Sequence, residues 1–261
     1  MSGNYIDKFN QDRIKSIESF SNDDELKSLT NKWVMQTMSS KYVYNFDWLG
    51  RPIIQYPQDI VAIQELIWKV KPDLIIETGV AHGGSLILSA SILALLDISD
   101  ASKANTQVNP NKSNRKVVGI DIDIRPHNRK KIEDHSLSCY IEMIQGSSIS
   151  KDVISQVKNI SEKYKKIMVL LDSSHTYKHV LSELEAYAPL VSPGSYCVVF
   201  DTFVEDMPKG FFEDRPWDPG NSPKTAVVEF LETHNDFEID QDIQNKILIT
   251  VSPDGYLRKK L

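Results

Sequence analysis

The stretch that decides the fold reads Leu74-Ile75-Ile76-Glu77-Thr78-Gly79-Val80-Ala81-His82-Gly83-Gly84-Ser85-Leu86. Its first three residues are apolar and predict a buried strand, and the glycines that follow predict a sharp turn. A helix is expected to begin near Ser85, whose hydroxyl suits an N-cap. A strand, a glycine turn and a helix N-terminus are together typical of the nucleotide-binding corner of an open α/β sheet.

The spacing of these glycines differs from that of known phosphate-binding loops. Gly79, Gly83 and Gly84 do not fit the dinucleotide fingerprint, and no Lys-Ser/Thr pair follows as in a P-loop. Glu77 suits a ligand that presents an amine, such as S-adenosylmethionine, although an ordinary strand-to-helix turn remains the alternative. The cofactor contacts predicted from this stretch are Glu77, Thr78, Gly79, Ala81, His82, Gly83 and Ser85.

Composition narrows the class of protein. The 261 residues predict one large domain, or one domain with an extension. Hydrophobic residues are 41% and charged residues 25%, which is typical of a soluble globular protein. No apolar run is expected to reach the roughly 20 residues of a membrane span, and the N-terminus lacks the apolar region of a signal peptide. We therefore expect no membrane partner.

Charge and cysteine content add two further expectations. A net charge of −6 argues against the basic surface that binds nucleic acid. Cys139 and Cys197 both lie in apolar, strand-like runs, so reduced thiols in the cytoplasm are expected.

The N-terminal part of the chain reads as an extension. Two helices are predicted before residue 40, with a break near Asn22-Asp23-Asp24. Residues 41–58 are rich in aromatics and are predicted to form a loop, either a platform for a sugar or ring, or a packed lid. A helix follows over Asp59–Val70, and a polar loop is predicted over Asp97–Lys116. The residues predicted to contact the substrate are Trp48, Arg51, Tyr56, His82 and Trp217.

Three later strands are each predicted to end in an acid, and these acids are Asp121, Asp172 and Asp201. In a parallel sheet such ends share one edge, where ligands bind. Asp121 is expected to hold ribose hydroxyls, or else to be a turn acid. Gly146, Ser147 and Ser148, after a strand predicted over Cys139–Ile144, are expected to border an adenine, with a helix cap at Ser148 or Ser150 as the alternative. Two last strands are predicted, at 237–240 and 246–251.

The segment Asp172-Ser173-Ser174-His175 carries the strongest local indication of chemistry. Asp172 and Asp201 would repel each other at one sheet edge unless a cation lay between them. Aspartate oxygens suit Mg²⁺, Mn²⁺ or Ca²⁺, and His175 could act as a general base. Two alternatives stay open: Asp172 caps the helix while His175 bonds to a loop, or Asp172, His175 and His179 bind a transition metal.

The sequence resembles the cephalosporin hydroxylase family, whose relatives include S-adenosylmethionine-dependent O-methyltransferases acting on rhamnosyl and macrolide sugars. The resemblance covers roughly residues 42–257. The motifs that carry it are Trp48-Leu-Gly-Arg-Pro-Ile-Ile-Gln-Tyr-Pro, Glu77-Thr-Gly-Val-Ala-His-Gly-Gly-Ser, Gly119-Ile-Asp-Ile-Asp-Ile-Arg, Asp172-x-x-His175, Phe200-Asp201-Thr202 and Val204-Glu205-Asp206-Met207-Pro208.

The resemblance implies that Asp172 binds Mg²⁺ and that His175 is the base. The family often carries two adjacent acids at its second metal-binding strand end, whereas only Asp201 is present here. Water, Glu205 or Asp206 would replace the missing ligand.

Together these observations predict an α/β fold, a Rossmann-like methyltransferase with a mostly parallel seven-stranded sheet. Residues 1–58 would form a helical extension and aromatic lid, and residues 59–261 the methyltransferase domain. The expected function is O-methylation of a sugar hydroxyl, with S-adenosylmethionine and Mg²⁺ and with the protein as a homo-oligomer. The alternatives are a metal-dependent hydroxylase and a non-catalytic S-adenosylmethionine-binding subunit.

Overall fold

The computed structural model, which describes residues 2–261, has a seven-stranded sheet at its core. Two further strands, β1 (Phe46–Trp48) and β2 (Arg51–Ile53), form a separate two-stranded sheet. The seven strands of the main sheet are β3 (Leu74–Thr78), β4 (Lys116–Asp121), β5 (Ile141–Gln145), β6 (Ile167–Leu171), β7 (Tyr196–Val199), β8 (Phe237–Ile239) and β9 (Tyr256–Lys259). The order in the main sheet is β5-β4-β3-β6-β7-β9-β8, and β9 runs in the direction opposite to the other six strands. The predicted fold class is confirmed.

Nine α-helices accompany these strands in residues 2–261. They are α1 (Ser2–Ser21), α2 (Asp24–Ser39), α3 (Pro57–Val70), α4 (Gly84–Ala104), α5 (Pro126–Glu133), α6 (Lys151–Ser161), α7 (Tyr177–Tyr187), α8 (Pro223–Thr233) and α9 (Gln241–Ile247). Strands β3 and β6 are buried at every position, and two separate apolar clusters cover the two faces of the sheet. Continuous apolar runs of this kind are what a parallel sheet covered on both faces requires.

Strand register brings the predicted site residues to one edge. Thr78 pairs with Ile120 of β4 and with Leu171 of β6, and Leu171 pairs with Val199 of β7. Because these strands are parallel, the segments that follow them begin side by side. The glycine turn, Asp172 and Asp201 therefore meet at the same place.

Helix α4 is longer than expected from the sequence. Among residues 2–261, it is the one helix whose length and composition would suffice to cross a membrane, and 56% of its most apolar window is buried inside the protein. Burial against β4 and α3 accounts for that composition. The helix continues to Ala104, so the polar loop predicted from Asp97 is shorter than expected.

The N-terminal segment contains the two predicted helices, and an Asp23 carboxylate caps the second. The prediction of a loop over residues 41–58 is wrong, because β1 and β2 form an antiparallel hairpin there. The aromatic residues of this segment pack on one another: the rings of Tyr42 and Tyr56 both lie against Trp33, at centroid distances of 5.4 and 5.5 Å. The division into a domain and an extension stays a prediction.

The C-terminal segment also departs from the prediction, since residues 246–251 form no strand. The buried carboxylate of Asp59 accepts hydrogen bonds from the Val251 amide at 3.0 Å and from the Tyr256 hydroxyl at 2.8 Å. The backbone around Val251 is thereby held by a side chain rather than by a neighbouring strand. The last strand is β9 instead.

The two thiols are free, but they differ in surroundings. Cys197 is fully buried in β7, as expected, whereas Cys139 lies half-buried in a 3₁₀ turn before β5. The predicted third strand therefore begins at Ile141.

Candidate active site

A cavity of about 440 Å³ lies at the edge of the sheet where the parallel strands end. One wall is the glycine turn, the floor is formed by the segments after β6 and β7, and the remaining walls come from residues 38–55 and 203–217. Of the residues predicted to form the site, those that line the cavity are Gly79, Ala81, His82, Gly83, Ser85, Asp172, His175, Asp201 and Trp217.

Three of these side chains form one cluster. Potential ligand atoms of Asp172, His175 and Asp201 all lie within 4.8 Å of one another. The Asp172 amide donates to the Thr78 carbonyl at 2.9 Å, which ties the segment after β6 to the end of β3. Asp201 has a left-handed backbone, with φ at 56°. A non-glycine residue in that conformation is strained, and such residues concentrate at functional sites.

The charges in this cluster are mutually unfavourable without a cation. Burial, together with the neighbouring Asp201 carboxylate, raises the pKa of Asp172 to about 7. Burial and Asp59 raise the pKa of Asp201 to about 7 as well. Burial lowers the pKa of the His175 imidazole. Two carboxylates and one imidazole are a donor set that a divalent cation accepts, and a bound cation would offset the repulsion.

His175 is held from two sides. Its Nε2 atom lies 3.0 Å from Oδ2 of Asp201, and its ring meets Trp217 edge to face at a centroid distance of 4.6 Å. The Arg215 guanidinium lies over the Trp217 ring, 5.3 Å from the ring centroid. Trp217 therefore supports the imidazole as well as lining the cavity, a contact that the sequence did not reveal.

The glycine turn lines the cavity and also packs closely against neighbouring backbone. Gly79 has φ at 90°, and a Cβ there would lie 1.9 Å from the Asp172 carbonyl oxygen. A Cβ on Gly84 would lie 2.2 Å from the Pro52 carbonyl oxygen. These glycines thus allow the segments around the cavity to approach one another.

The Asp121 carboxylate contacts the backbone of this turn. One of its carboxylate oxygens accepts hydrogen bonds from the amides of Val80, at 2.8 Å, and Ala81, at 3.3 Å. These hydrogen bonds are those expected if Asp121 is a turn acid, the alternative that the sequence left open. Contact of Asp121 with a ribose stays a prediction.

Ser85 does not cap α4, as the sequence suggested, because the N-cap is Gly83 and carries no side-chain hydrogen bond. The Ser85 hydroxyl instead donates to the carboxylate of Glu77. Glu77 is 2% exposed, and its second oxygen, Oε2, has no partner among the described residues. Burial raises the pKa of Glu77 to about 8, with a further contribution from Asp172. Glu77 itself does not line the cavity, whereas its partner Ser85 does, so contact of Glu77 with a cationic ligand group stays a prediction.

Four other predicted contacts, at Tyr56, Thr78, Trp48 and Arg51, do not line the cavity, so their contacts with a ligand stay predictions. Tyr56 is fully buried, and its hydroxyl is 2.9 Å from the Thr37 hydroxyl. The Thr78 side chain is also fully buried, next to the Asp172 amide.

The remaining two are Trp48 and Arg51. Trp48 donates to the Ser91 hydroxyl on α4 at 3.1 Å. Arg51 donates to the His82 carbonyl at 2.9 Å and to Asn128 at 3.0 Å. These two side chains fasten the hairpin and the glycine turn, and their contact with a substrate stays a prediction.

The segment Gly146–Ser148 lies at the same sheet edge but outside the cavity. The Gly146 amide donates to the Asp121 carbonyl at 2.9 Å, and Ser150, not Ser148, caps α6. Contacts of Gly146, Ser147 and Ser148 with an adenine stay predictions.

His179 is engaged elsewhere, so the alternative of a metal site on Asp172, His175 and His179 is wrong for this geometry. Its Nε2 atom lies 3.1 Å from the Ser148 hydroxyl and 3.4 Å from the buried Glu183 carboxylate. Glu205 and Asp206 do not join the cluster either. Glu205 accepts from Thr225 at 2.9 Å, and Asp206 pairs with Lys224 at 3.0 Å.

Several cavity residues escaped the sequence analysis. They are Met38, Lys41, Tyr44, Gln55, Phe203, Phe212 and Arg215. Gln55 had a signal that could have identified it, because it is the one amide in the apolar part of the motif Pro52-Ile53-Ile54-Gln55-Tyr56-Pro57.

Comparison with known proteins gives consistent matches. The family model for rhamnosyl O-methyltransferase/CmcI matches residues 40–260. The rhamnosyl O-methyltransferase of Mycobacterium tuberculosis is 29% identical over 203 residues, which are 76% of this chain and 72% of that protein. The rhamnosyl O-methyltransferase of Mycobacterium leprae is 25% identical over 242 residues, 91% of this chain and 92% of that protein.

A solved structure of CmcI with Mg²⁺ and S-adenosylmethionine is similar in fold. The TM-score is 0.54 at 16% identity, over 84% of this chain and 78% of that one.

Proposed function

Since the chain belongs to the rhamnosyl O-methyltransferase/CmcI family, we propose that it transfers a methyl group from S-adenosylmethionine to a hydroxyl of a sugar. Membership confirms the family recognised from the sequence motifs. The curated relatives from two mycobacteria are rhamnosyl O-methyltransferases, which supports a deoxysugar or a related glycoside as the acceptor.

The observation that carries this proposal is the position of the Asp172, His175 and Asp201 cluster. It lies in the same cavity as the glycine turn, so a cofactor on the turn and an acceptor at the cluster would lie next to each other. Such proximity brings the methyl donor and the hydroxyl together, which is the main requirement of a transfer reaction.

His175 is placed to take the proton of the acceptor hydroxyl. Its lowered pKa keeps the imidazole neutral near pH 7, so that the ring can accept a proton. Because Nε2 faces Asp201, Nδ1 is the nitrogen that remains for the acceptor. The Asp201 carboxylate also stabilises the imidazolium that forms, as a carboxylate does in other base–carboxylate pairs.

Asp172 and Asp201 would hold Mg²⁺ through their carboxylate oxygens. A divalent cation bound there supplies a Lewis acid that lowers the pKa of the acceptor hydroxyl. Glu77 would hold the ammonium of the cofactor through its free oxygen, and Trp217 and His82 would border the acceptor.

We also propose that the protein is a homo-oligomer in a reducing cytoplasm. Four large apolar side chains of α1 are exposed, and these are Tyr5, Ile6, Phe9 and Ile14. An exposed apolar face of this kind is typical of a protein–protein contact. The two free thiols are compatible with reducing surroundings.

The proposal is tested in two steps. Calorimetry with S-adenosylhomocysteine, with and without Mg²⁺, measures whether the cavity binds the cofactor. Transfer of labelled methyl from S-adenosylmethionine to a panel of deoxyhexose glycosides and nucleotide sugars then measures catalysis. Absence of cofactor binding would contradict the proposal. Binding without transfer to any acceptor would favour a non-catalytic subunit, and bound iron would favour a hydroxylase.

A further inference from the structure

Two cationic side chains line the cavity from different walls. Lys41 belongs to the wall formed by residues 38–55, and Arg215 belongs to the wall formed by residues 203–217. Other arginines of the chain are paired with acids, as Arg115 is with Asp97. Lys41 and Arg215 form no ion pair with any of the residues that the structure describes. Their charges are therefore available to a ligand in the cavity.

Arg215 is held close to the proposed base. Its guanidinium lies 5.3 Å from the centroid of the Trp217 ring, and that ring in turn contacts His175. The backbone beside it is fixed, since the Asn221 side-chain nitrogen donates to the Pro216 carbonyl at 2.7 Å. Burial is the main reason that the pKa of His175 is lowered, and the positive charge of Arg215 contributes to the lowering. The guanidinium is thus one aromatic ring away from the imidazole.

Lys41 also starts from a fixed backbone position. It follows α2 with a φ of 57°, the left-handed conformation that often ends a helix. Its amide donates to the Met38 carbonyl at 3.0 Å, and its carbonyl accepts from the Tyr44 amide at 3.1 Å. Met38 and Tyr44 both line the cavity. Lys41 therefore lies between two other residues of the same wall.

The charges of the cavity are arranged by depth. Asp172, His175 and Asp201 are half-buried at the floor, whereas Lys41 and Arg215 are exposed. The two carboxylates at the floor can balance a divalent cation, and without one they would repel an anion. The net charge of −6 gives an anionic ligand no general attraction to the protein. An anionic group is therefore favoured beside the two exposed cations.

We propose that Arg215 and Lys41 bind an oxyanion, a phosphate or a carboxylate, that the acceptor sugar carries, while the hydroxyl to be methylated lies at His175. A guanidinium presents two parallel N–H groups to such an oxyanion, and an ammonium adds a point charge. This inference rests on the proposed function and narrows its acceptor from sugars in general to acidic sugars. Sugar phosphates and uronic acids both have the required chemistry.

Two matched pairs of probes test this preference and distinguish the two oxyanions. Rhamnosyl phosphate is compared with methyl rhamnoside, and methyl glucuronoside is compared with methyl glucoside. Calorimetry measures their binding to the full chain loaded with S-adenosylhomocysteine and Mg²⁺. At least one charged probe should bind about tenfold more tightly than its neutral partner, as expected for hydrogen bonds between charged groups. The pair that shows the difference identifies the oxyanion.

Three substitutions, each removing one positive charge, locate the contact. Arg215→Gln and Lys41→Gln should each weaken the preferred charged probe by roughly fivefold or more, and should change the neutral probe by less than about twofold. Lys209→Gln is the matched control, because Lys209 is exposed on the same segment as Arg215 but does not line the cavity. This variant should keep the wild-type affinity for every probe.

Four results would overturn the inference. They are equal binding of the charged and neutral probes, no binding of either charged probe, a preference that survives both cavity substitutions, and an equal loss with Lys209→Gln. The last two would assign the preference to the metal or to the net charge instead. Any of the four leaves the proposed function intact if the wild type binds S-adenosylhomocysteine. A wild type that does not bind S-adenosylhomocysteine would contradict the proposed function itself.

Discussion

The Nε2 atom of His175 lies 3.0 Å from the Oδ2 atom of Asp201. The proposed base is thus in direct contact with a proposed metal ligand. Asp201 can orient the imidazole and contribute charge to a cation site at the same time. Substitutions at the two positions are therefore expected to be non-additive, as for any residues that act as a unit.

Two substitutions of Asp201 separate these roles. Asp201→Asn keeps an oxygen that can accept a hydrogen bond from His175 but loses the charge. Asp201→Ala loses both. Titration of the methyl-transfer rate with Mg²⁺ should restore Asp201→Asn further than Asp201→Ala, which should stay at least about tenfold slower at saturation. Equal and complete recovery of both variants would show that Asp201 serves the metal alone.

Binding of the cofactor should release a proton near pH 7. Glu77 has its pKa raised to about 8 by burial, so it is largely protonated at pH 7 in the free protein. Pairing with an ammonium requires the carboxylate, and the proton must leave. Calorimetry of S-adenosylhomocysteine in buffers of different ionisation enthalpy measures this release. Glu77→Gln should abolish it, and release of a full proton by that variant would contradict the assignment.

Glu77 should also make stability depend on pH in the absence of the cofactor. Its folded pKa of about 8 lies above the ordinary value of 4.5. The folded state then binds more protons than the unfolded state between these values, and stability falls as pH rises through that range. Thermal unfolding at pH 5 and pH 9 should show Glu77→Gln gaining several degrees over the wild type at pH 9. A gain confined to pH 5 would have the wrong sign.

Gly79 should be essential for the segment after β6 as well as for the cofactor. A Cβ at this position would lie 1.9 Å from the Asp172 carbonyl oxygen. Gly79→Ala is therefore expected to lower the unfolding temperature and to disturb Mg²⁺ binding.

Gly50 provides the control for this prediction. Its φ of 83° resembles the 90° of Gly79, but no atom lies within 4 Å of the position of its Cβ. Gly50→Ala shares the backbone strain and lacks the clash. Similar destabilisation of both variants would show that the contact with Asp172 is unimportant.

The sequence predicts the sheet edge well, because acids that follow apolar runs must meet when parallel strands end together. Asp172, His175 and Asp201 follow from this reasoning. Trp48 and Tyr56 could not be placed, since their partners, Ser91 and Thr37, are distant in sequence and belong to packing that no local pattern encodes.

Sequence patterns also do not predict contacts between a side chain and backbone that is distant in sequence. Asp59 holds the backbone near Val251, so a segment that reads as a strand is not one. Gln55 gives a similar example, because an amide in an apolar motif reveals its unpaired state only when the surrounding elements are in place.

The rate of methyl transfer by His175→Ala tests the central claim most directly. With an acceptor that the wild type methylates, the variant should be slower by roughly 10²–10⁴-fold, as is typical when a general base is lost. Calorimetry should show that the variant still binds S-adenosylhomocysteine and Mg²⁺. A variant that transfers methyl at the wild-type rate would contradict the role of His175 and with it the proposed mechanism.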